Sequence, residues 1–135
     1  MNPSTKTIQP TGVLEGENSS LVWPQPSSLP RFSPPLRIGV MASGNGSNFE
    51  ALVKAAQKSE LDAHISTLVV NNPNCEARHR AKRLGIPCVV LDHRDFDNRE
   101  ELDQALVRTF SKFDVEGVVM AGWMRIVTTI LIEAF

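Results

Sequence analysis

The sequence predicts an α/β fold in which helices cover both faces of a doubly wound, parallel sheet. Three observations lead to this prediction. From Leu36 onward, short β-branched runs alternate with segments of helical period, as in βαβ units. A glycine-rich turn follows the first run and opens a helix. Right-handed crossovers then place the fourth strand beside the first, so we expect a half-sheet of four strands in the order 3-2-1-4, incomplete on its C-terminal side.

Composition restricts the class of protein. The chain has 135 residues, 41% of them hydrophobic, which is enough for one domain to bury a core without disulfides or metals. A formal net charge of -1 gives no long-range attraction for nucleic acid or for an anionic membrane. The longest strongly apolar stretch, residues 117–124, is far shorter than the roughly 18 residues of a membrane span. We expect no nucleic-acid partner, no membrane partner and a cytoplasmic location.

The composition of the chain changes near residue 36. Residues 1–35 contain seven of the nine prolines, and their apolar residues follow neither a helical nor a strand period. We expect this Pro/Ser-rich N-terminal extension to be disordered. Residues 36–135 form the predicted folded domain.

The first half of the folded region has two strands and two helices. Strand one covers residues 37–42, and a helix follows over about 48–58 because its apolar residues recur at i, i+3, i+4 and i+7. Strand two covers about 64–70, and a short helix over 75–84 ends at Gly85. The predicted buried stripe of the first helix is Phe49, Leu52, Val53 and Ala56.

The second half repeats the alternation. Strand three covers residues 87–91, and a polar loop leads to Asp97, the expected N-cap of the next helix, with Glu100 reaching back as in a capping box. Strand four covers 115–121, and residues 129–135 begin a further helix. The helix after strand three has a wide apolar stripe for packing on the sheet, formed by Leu102, Ala105, Leu106, Thr109, Phe110 and Phe113.

Two loops lie where ligands bind in such a sheet. In the order 3-2-1-4 the direction of winding reverses between strands one and four, and ligands bind outside the carboxyl ends of the strands at that reversal. The loops that follow these two strands are residues 43–48, here loop 1, and residues 121–127, here loop 2. We therefore expect the functional site at these loops.

Loop 1, Ser-Gly-Asn-Gly-Ser-Asn, has the composition of a phosphate cradle. Its glycines permit positive φ angles and close backbone approach, so successive amides can point into one concave space. The helix that follows adds unpaired amides and the positive end of its dipole, and Ser47 and Asn48 can donate further hydrogen bonds. The alternative is a tight β-to-α turn in which Ser47 is a simple N-cap.

A dinucleotide site is a second alternative for loop 1. Gly44 and Gly46 match the first two glycines of G-x-G-x-x-G, but Phe49 stands in place of the third. Strand two ends in Asn71 and Asn72 rather than in the acid that holds a ribose hydroxyl. The sequence therefore disfavours NAD as a ligand.

Loop 2 suits a flat apolar ligand that carries a negative charge. Trp123, Met124 and Ile126 place apolar surface at the end of a strand, and Arg125 adds a cation. The alternative is that the three apolar side chains belong to the core and that Arg125 is a solvated cap.

The sequence lacks the spacing of metal ligands. Cys75 and Cys88 form neither a CxxC pair nor a zinc ligand set, so we expect reduced thiols packed as small hydrophobes. His64, His79 and His93 show no H-x-x-x-H or HExxH spacing. His93 follows a strand, and it either faces a ligand or is solvated in its loop. We expect no metal site.

Together these motifs resemble those of the phosphoribosylglycinamide formyltransferases, folate-dependent enzymes of de novo purine (IMP) biosynthesis. The resemblance is colinear over residues 36–135, and it lies in RIGVM at 37–41 with loop 1, FDNRE at 96–100 and AGWMRI at 121–126. It implies a Rossmann-like formyltransferase fold. It also implies transfer of the formyl group of 10-formyltetrahydrofolate, the co-substrate, to the amine of glycinamide ribonucleotide.

The resemblance further implies a role for each loop. Loop 1 and the first turn of its helix would hold the ribonucleotide phosphate, and loop 2 would border the folate. The implied phosphate-binding residues are Gly46, Ser47, Asn48, Phe49 and Glu50, the last two through their backbone. The implied folate-binding residues are Arg99, Met124, Arg125, Ile126 and Val127, with backbone polar groups of the last four holding the pteridine-like ring.

The resemblance covers about the first half of the family's domain. The family's catalytic Asn-x-His-Pro motif and a later Asp, which stabilise the oxyanion and move protons, are not present in this sequence. We therefore expect no catalytic residue in this sequence. We also expect the sequence to come from a truncated gene, an incomplete sequence record or a split protein. We expect such a chain to be inactive alone, to expose apolar sheet faces and to be unstable or prone to aggregation.

Two other functions stay open at this point. One is another folate-dependent formyltransferase or deformylase, although loop 1 suits a small ribonucleotide and the lack of a basic excess does not favour tRNA. The other is a non-catalytic module or relic that binds a phosphate ligand.

Overall fold

The computed structural model describes residues 31–135. The predicted disordered extension therefore lies outside the described residues except for 31–35, which are exposed and precede the first strand. The regular elements are β1 (Leu36–Ala42), α1 (Ser47–Gln57), β2 (Ala63–Val70), α2 (Glu76–Leu84), β3 (Cys88–Val90), α3 (Arg99–Lys112), β4 (Gly117–Met120) and α4 (Thr129–Ala134), with a 3-10 turn at His93–Asp95.

The sheet confirms the predicted topology. Its four strands lie in the order β3-β2-β1-β4, and every neighbouring pair is parallel. Val40 in the middle of β1 stands opposite Leu68 of β2 and Val119 of β4. β3 and β4 are shorter than the predicted 87–91 and 115–121, a difference of one or two residues at their ends.

Each face of the sheet has its own apolar core. On one face, the alternate β1 residues Val40 and Ala42 pack with Phe49 of α1 and Ala81 of α2. On the other face, α3 and α4 pack on a second cluster, whose buried residues are Met41, Val69, Leu102, Leu106, Phe110, Val115 and Leu131. Because strands have a side-chain period of two, neighbouring residues of β1 supply both cores. The helices therefore lie on both faces, as a doubly wound sheet requires.

Helix α3 approaches the sheet closely, with most of its predicted stripe buried. A Cβ atom at Gly39 of β1 would lie 2.5 Å from Cε1 of Phe110. Glycine at this position therefore lets the aromatic ring lie directly on the strand backbone.

The predicted cap of α3 is wrong by one residue. The N-cap is Asn98, whose Oδ1 accepts a hydrogen bond from the Glu101 amide at 2.9 Å. Glu101, not Glu100, reaches back, and its carboxylate accepts from the Asp97 amide at 3.3 Å. Both residue pairs have the spacing of a capping box, so the sequence pattern does not separate them.

β4 pairs with β1 on one side only, among the strands that the structure describes. Next to it lies an open apolar cavity of about 150 Å³. Its lining is Val118, Met120, Val127, Leu131, Ile132 and Phe135. Met120 and Ile132 are exposed, so the expected apolar surface is present at this end of the sheet. Instability and aggregation stay predictions.

Candidate functional site

Loops 1 and 2 meet at the carboxyl ends of β1 and β4, as the topology predicts. The residue that joins them is Ser43, which directly follows β1. Its amide donates to the carbonyl of Gly122 at 3.1 Å, and its Oγ accepts a hydrogen bond from the Met124 amide at 2.8 Å. Sequence reasoning assigned no role to Ser43, although its place immediately after the strand was the available signal.

Helix α1 begins without a side-chain cap. Its N-cap is Gly46, with a φ of 82°, so the alternative interpretation of Ser47 as N-cap is wrong. The first backbone bond of the helix runs from the Glu50 amide to the Gly46 carbonyl at 2.9 Å. The amides of Ser47, Asn48 and Phe49 precede this bond, and none of them has a hydrogen-bond acceptor within residues 31–135. The start of α1 therefore has three backbone donors for an anion.

Gly46 is held tightly against α2. A Cβ at this position would lie 2.6 Å from Cβ and 2.7 Å from Cα of Ala77. The Ala77 amide also donates to the carbonyl of Gly44 at 3.0 Å. Both the positive φ and the close approach require glycine at position 46, so loop 1 has little freedom to change shape.

The Glu50 side chain binds cations beside loop 1. Its Oε1 accepts from Arg83 and, at 2.8 Å, from Arg80, while Oε2 lies 3.0 Å from Lys54 Nζ. Hydrogen bonds from Arg83, Arg80 and Lys54 lower the pKa of Glu50 from its ordinary value of 4.5 to about 2. The side chain is 11% exposed. Three cations around one carboxylate leave an excess of positive charge next to loop 1.

The structure divides the apolar residues of loop 2 into two groups. Trp123 and Val127 are half-buried and pack against the core that α3 covers, and for Trp123 this is what the core interpretation expects. Met124 and Ile126 are 79% and 69% exposed, so that interpretation is wrong for them. Arg125 is exposed between them. Loop 2 therefore presents an apolar outer surface that contains one cation.

The far end of loop 2 is anchored by Asp103 of α3. Its Oδ2 accepts from the amide of Thr128 at 2.6 Å and from the Thr128 hydroxyl at 2.8 Å. The side chain of Thr128 in turn caps α4. Asp103 is 1% exposed, and sequence reasoning missed it. The signal was an acid at the border of the predicted stripe, three residues before Leu106.

Arg99 is the first residue of α3 and is exposed. It lies one helical turn before Asp103 and so near the anchored end of loop 2. Between residues 31 and 135, Arg99 makes no hydrogen bond or ion pair with loop 2. The described residues therefore show no contact between Arg99 and loop 2, and its role at the folate stays a prediction.

The residues considered for metal or redox chemistry form no ligand cluster in the described part of the chain, which holds no group of three or more metal-ligating side chains. Cys75 and Cys88 are free thiols, and burial raises the pKa of Cys88 to about 11. His93 is half-buried and donates through Nδ1 to the Asn71 carbonyl at 3.2 Å, so it is not simply solvated. None of the helices described in residues 31–135 has the length and apolar character of a membrane span.

Comparisons with known proteins find a matching family and similar sequences. A family model described as Formyl transferase matches residues 36–135. Trifunctional purine biosynthetic protein adenosine-3 from Gallus gallus is 38% identical over 93 residues, which cover 69% of this chain and 9% of that protein. Phosphoribosylglycinamide formyltransferase from Bacillus subtilis (strain 168) is 32% identical over 99 residues, 73% of this chain and 51% of that protein.

Solved structures with the same fold match similar shares of this chain and of their own chains. Glycinamide ribonucleotide transformylase 1 from Symbiobacterium toebii superposes with a TM-score of 0.74 at 26% identity, over 77% of this chain and 49% of that one. Glycinamide ribonucleotide transformylase 1 from Geobacillus kaustophilus superposes with a TM-score of 0.71 at 30% identity, over 74% of this chain and 53% of that one. The chain thus spans about half the length of these bacterial proteins. Because the family model matches from the start of β1 to Phe135, the chain belongs to the formyl transferase family.

Proposed function

We propose that this chain carries the substrate-binding half of a phosphoribosylglycinamide formyltransferase. The complete enzyme transfers the formyl group of 10-formyltetrahydrofolate to the amine of glycinamide ribonucleotide in de novo purine biosynthesis. Family membership and the names of similar proteins from Gallus gallus and Bacillus subtilis support this function. The single observation that favours a phosphorylated substrate is the uncapped start of α1 in loop 1.

In this proposal the ribonucleotide phosphate binds at loop 1. Unpaired amides at Ser47, Asn48 and Phe49 supply hydrogen bonds, and the positive end of the α1 dipole favours the anion. The hydroxyl of Ser47 and the amide side chain of Asn48 are exposed and add donors. Gly46 lets the backbone of loop 1 pack closely on α2, which fixes the shape of the site. Glu50 contributes through its backbone, because its carboxylate is engaged by the three cations.

The folate binds along loop 2. Exposed Met124 and Ile126 offer apolar contact to a flat ring system. The backbone of residues 124–127, apart from the Met124 amide that Ser43 holds, offers hydrogen bonds to its polar edge. Arg125 in this surface and Arg99 at the start of α3 are exposed cations that suit the carboxylates of a folate. Since Ser43 joins the two loops, the two substrates would lie side by side.

This chain binds substrates and supplies no catalytic residue in the proposal. The sequence holds no Asn-x-His-Pro motif, and none of its histidines lies in such a context. A metal has no part in the proposed reaction. We place the protein in the cytoplasm, where free thiols such as Cys75 and Cys88 stay reduced.

Calorimetric titration of the 135-residue chain with glycinamide ribonucleotide tests the phosphate assignment. The variant Ser47→Asp puts a carboxylate at the first position of α1, where it favours the helix but repels a phosphate. The matched control, Gln57→Glu, adds the same charge at the opposite end of α1. We expect saturable binding by the wild type and the control, and at least about tenfold weaker binding by Ser47→Asp.

The phosphate-free ligand, glycinamide ribonucleoside, shows which contacts are affected. We expect Ser47→Asp to leave its affinity unchanged, because the variant acts on the phosphate. A folded wild-type chain that does not bind the ribonucleotide would contradict the proposed function, and equal binding by Ser47→Asp would contradict the assignment to loop 1.

A further inference from the structure

Helix α2 contacts loop 1 through the guanidinium group of Arg80. Nε donates to the backbone carbonyl of Asn45 at 2.8 Å, and Nη2 donates to Oδ1 of the same residue at 2.9 Å. Nη1 donates to Glu50 at 2.8 Å, so one rigid fork holds both loop 1 and the first turn of α1. The Arg80 side chain is half-buried, with 23% of its surface exposed.

These contacts determine the direction of two peptide units. In a trans peptide the N–H points opposite to the preceding C=O. Because Arg80 holds the carbonyl of Asn45, the amide of Gly46 points away from α2. The carbonyl of Gly44 is held in the same way by the amide of Ala77, so the Asn45 amide also points away from α2. Consecutive amides directed to one side form an anion-binding nest.

We infer that Arg80 is a positioning residue for phosphate binding, acting by turning the Gly46 amide toward the ligand. The inference rests on the proposed function and adds to it a residue of α2 that determines phosphate affinity. Charge alone does not explain this role, because Glu50 lies on the same guanidinium and offsets its charge. Orientation requires the planar fork, which lysine lacks.

The test compares two charge-conserving variants. Arg80→Lys removes the fork that reaches both Asn45 and Glu50. Arg83→Lys is the matched control, because Arg83 binds Glu50 but makes no hydrogen bond to Asn45 within the described residues. Backbone residual dipolar couplings of the ligand-free chain report the N–H direction at Gly46. We expect this coupling to change in Arg80→Lys and to stay at the wild-type value in Arg83→Lys.

Binding supplies the second measurement. We expect Arg80→Lys to weaken binding of glycinamide ribonucleotide about tenfold and to leave binding of the phosphate-free ribonucleoside unchanged. Arg83→Lys should change neither affinity by more than about twofold. If Arg80 had a merely structural role, Arg80→Lys would weaken binding of both ligands equally.

The outcomes separate the two claims. Wild-type binding together with an Arg80→Lys variant that keeps both the Gly46 coupling and the ribonucleotide affinity would overturn the inference and leave the proposed function intact. A wild-type chain that binds no ribonucleotide would overturn the proposed function, and with it the role of Arg80 in phosphate affinity. In that case an altered Gly46 coupling in Arg80→Lys would still support its role in orienting the loop.

Discussion

Loops 1 and 2 are adjacent, yet the protein holds them in different ways. Loop 1 is fixed along its length, because Arg80 and Ala77 bind its carbonyls and Gly46 packs directly on α2. Loop 2 is fixed at its start by Ser43 and at its end by Asp103, while its middle residues are exposed. In the proposed function, this difference makes loop 1 a preorganised site for a small anion and loop 2 an open apolar surface for a larger ligand.

The largest loss of stability should come from Gly46→Ala in loop 1. The new Cβ meets Ala77 at 2.6 Å and sits at a positive φ, so we expect a loss of roughly 3 kcal/mol in the free energy of unfolding. Gly44→Ala is the control, because a Cβ there has no neighbour within 4 Å. Urea unfolding measures both variants. A Gly46→Ala midpoint equal to that of Gly44→Ala would contradict the tight packing of loop 1.

A smaller loss is expected at the anchored end of loop 2. Asp103→Ala removes the acceptor of two hydrogen bonds from Thr128, and we expect about 2 kcal/mol of destabilisation in urea unfolding. The adjacent exposed position supplies a control in Gln104→Ala, for which we expect less than about 0.5 kcal/mol. Equal stability of the two variants would show that Asp103 does not anchor the loop.

Protonation of Glu50 in acid should destabilise the contacts beside loop 1. Its pKa is lowered from 4.5 to about 2, so its contribution to stability is complete above pH 4.5 and is lost as pH falls toward 2. Glu50→Gln has no such titration, and its stability should fall less steeply over that interval. Urea midpoints measured from pH 5 to pH 2 provide the comparison. Parallel curves for the wild type and Glu50→Gln would contradict this coupling.

The smallest effect on stability is expected in the middle of loop 2. Met124→Ser and Ile126→Ser alter exposed side chains, so each should change the free energy of unfolding by less than about 0.5 kcal/mol. The same variants should weaken binding of the folate co-substrate, measured by fluorescence titration. Val127→Ser, which alters a half-buried side chain, is the contrast and should reduce stability more. Loss of stability without loss of folate affinity would place Met124 and Ile126 in the core instead.

The sequence predicted the strand order and the place of both loops, because hydrophobic period and topology determine them together. It did not reveal the contacts that hold the loops. Arg80 lies on α2, which has several basic residues, and nothing in that run distinguishes it from Arg83 before the fold brings it to Asn45. The α3 cap was missed by one residue for a similar reason, since Asn98 and Asp97 have equivalent capping partners.

A residue-resolved NMR titration of the 135-residue chain with glycinamide ribonucleotide tests the central claim most directly. We expect the largest amide shifts at residues 46–49, at the uncapped start of α1, and little change at 124–127 until the folate co-substrate is added. Shifts confined to loop 2 or to the outer face of α2, with the amides of 46–49 unchanged, would contradict the account of loop 1 as the phosphate site.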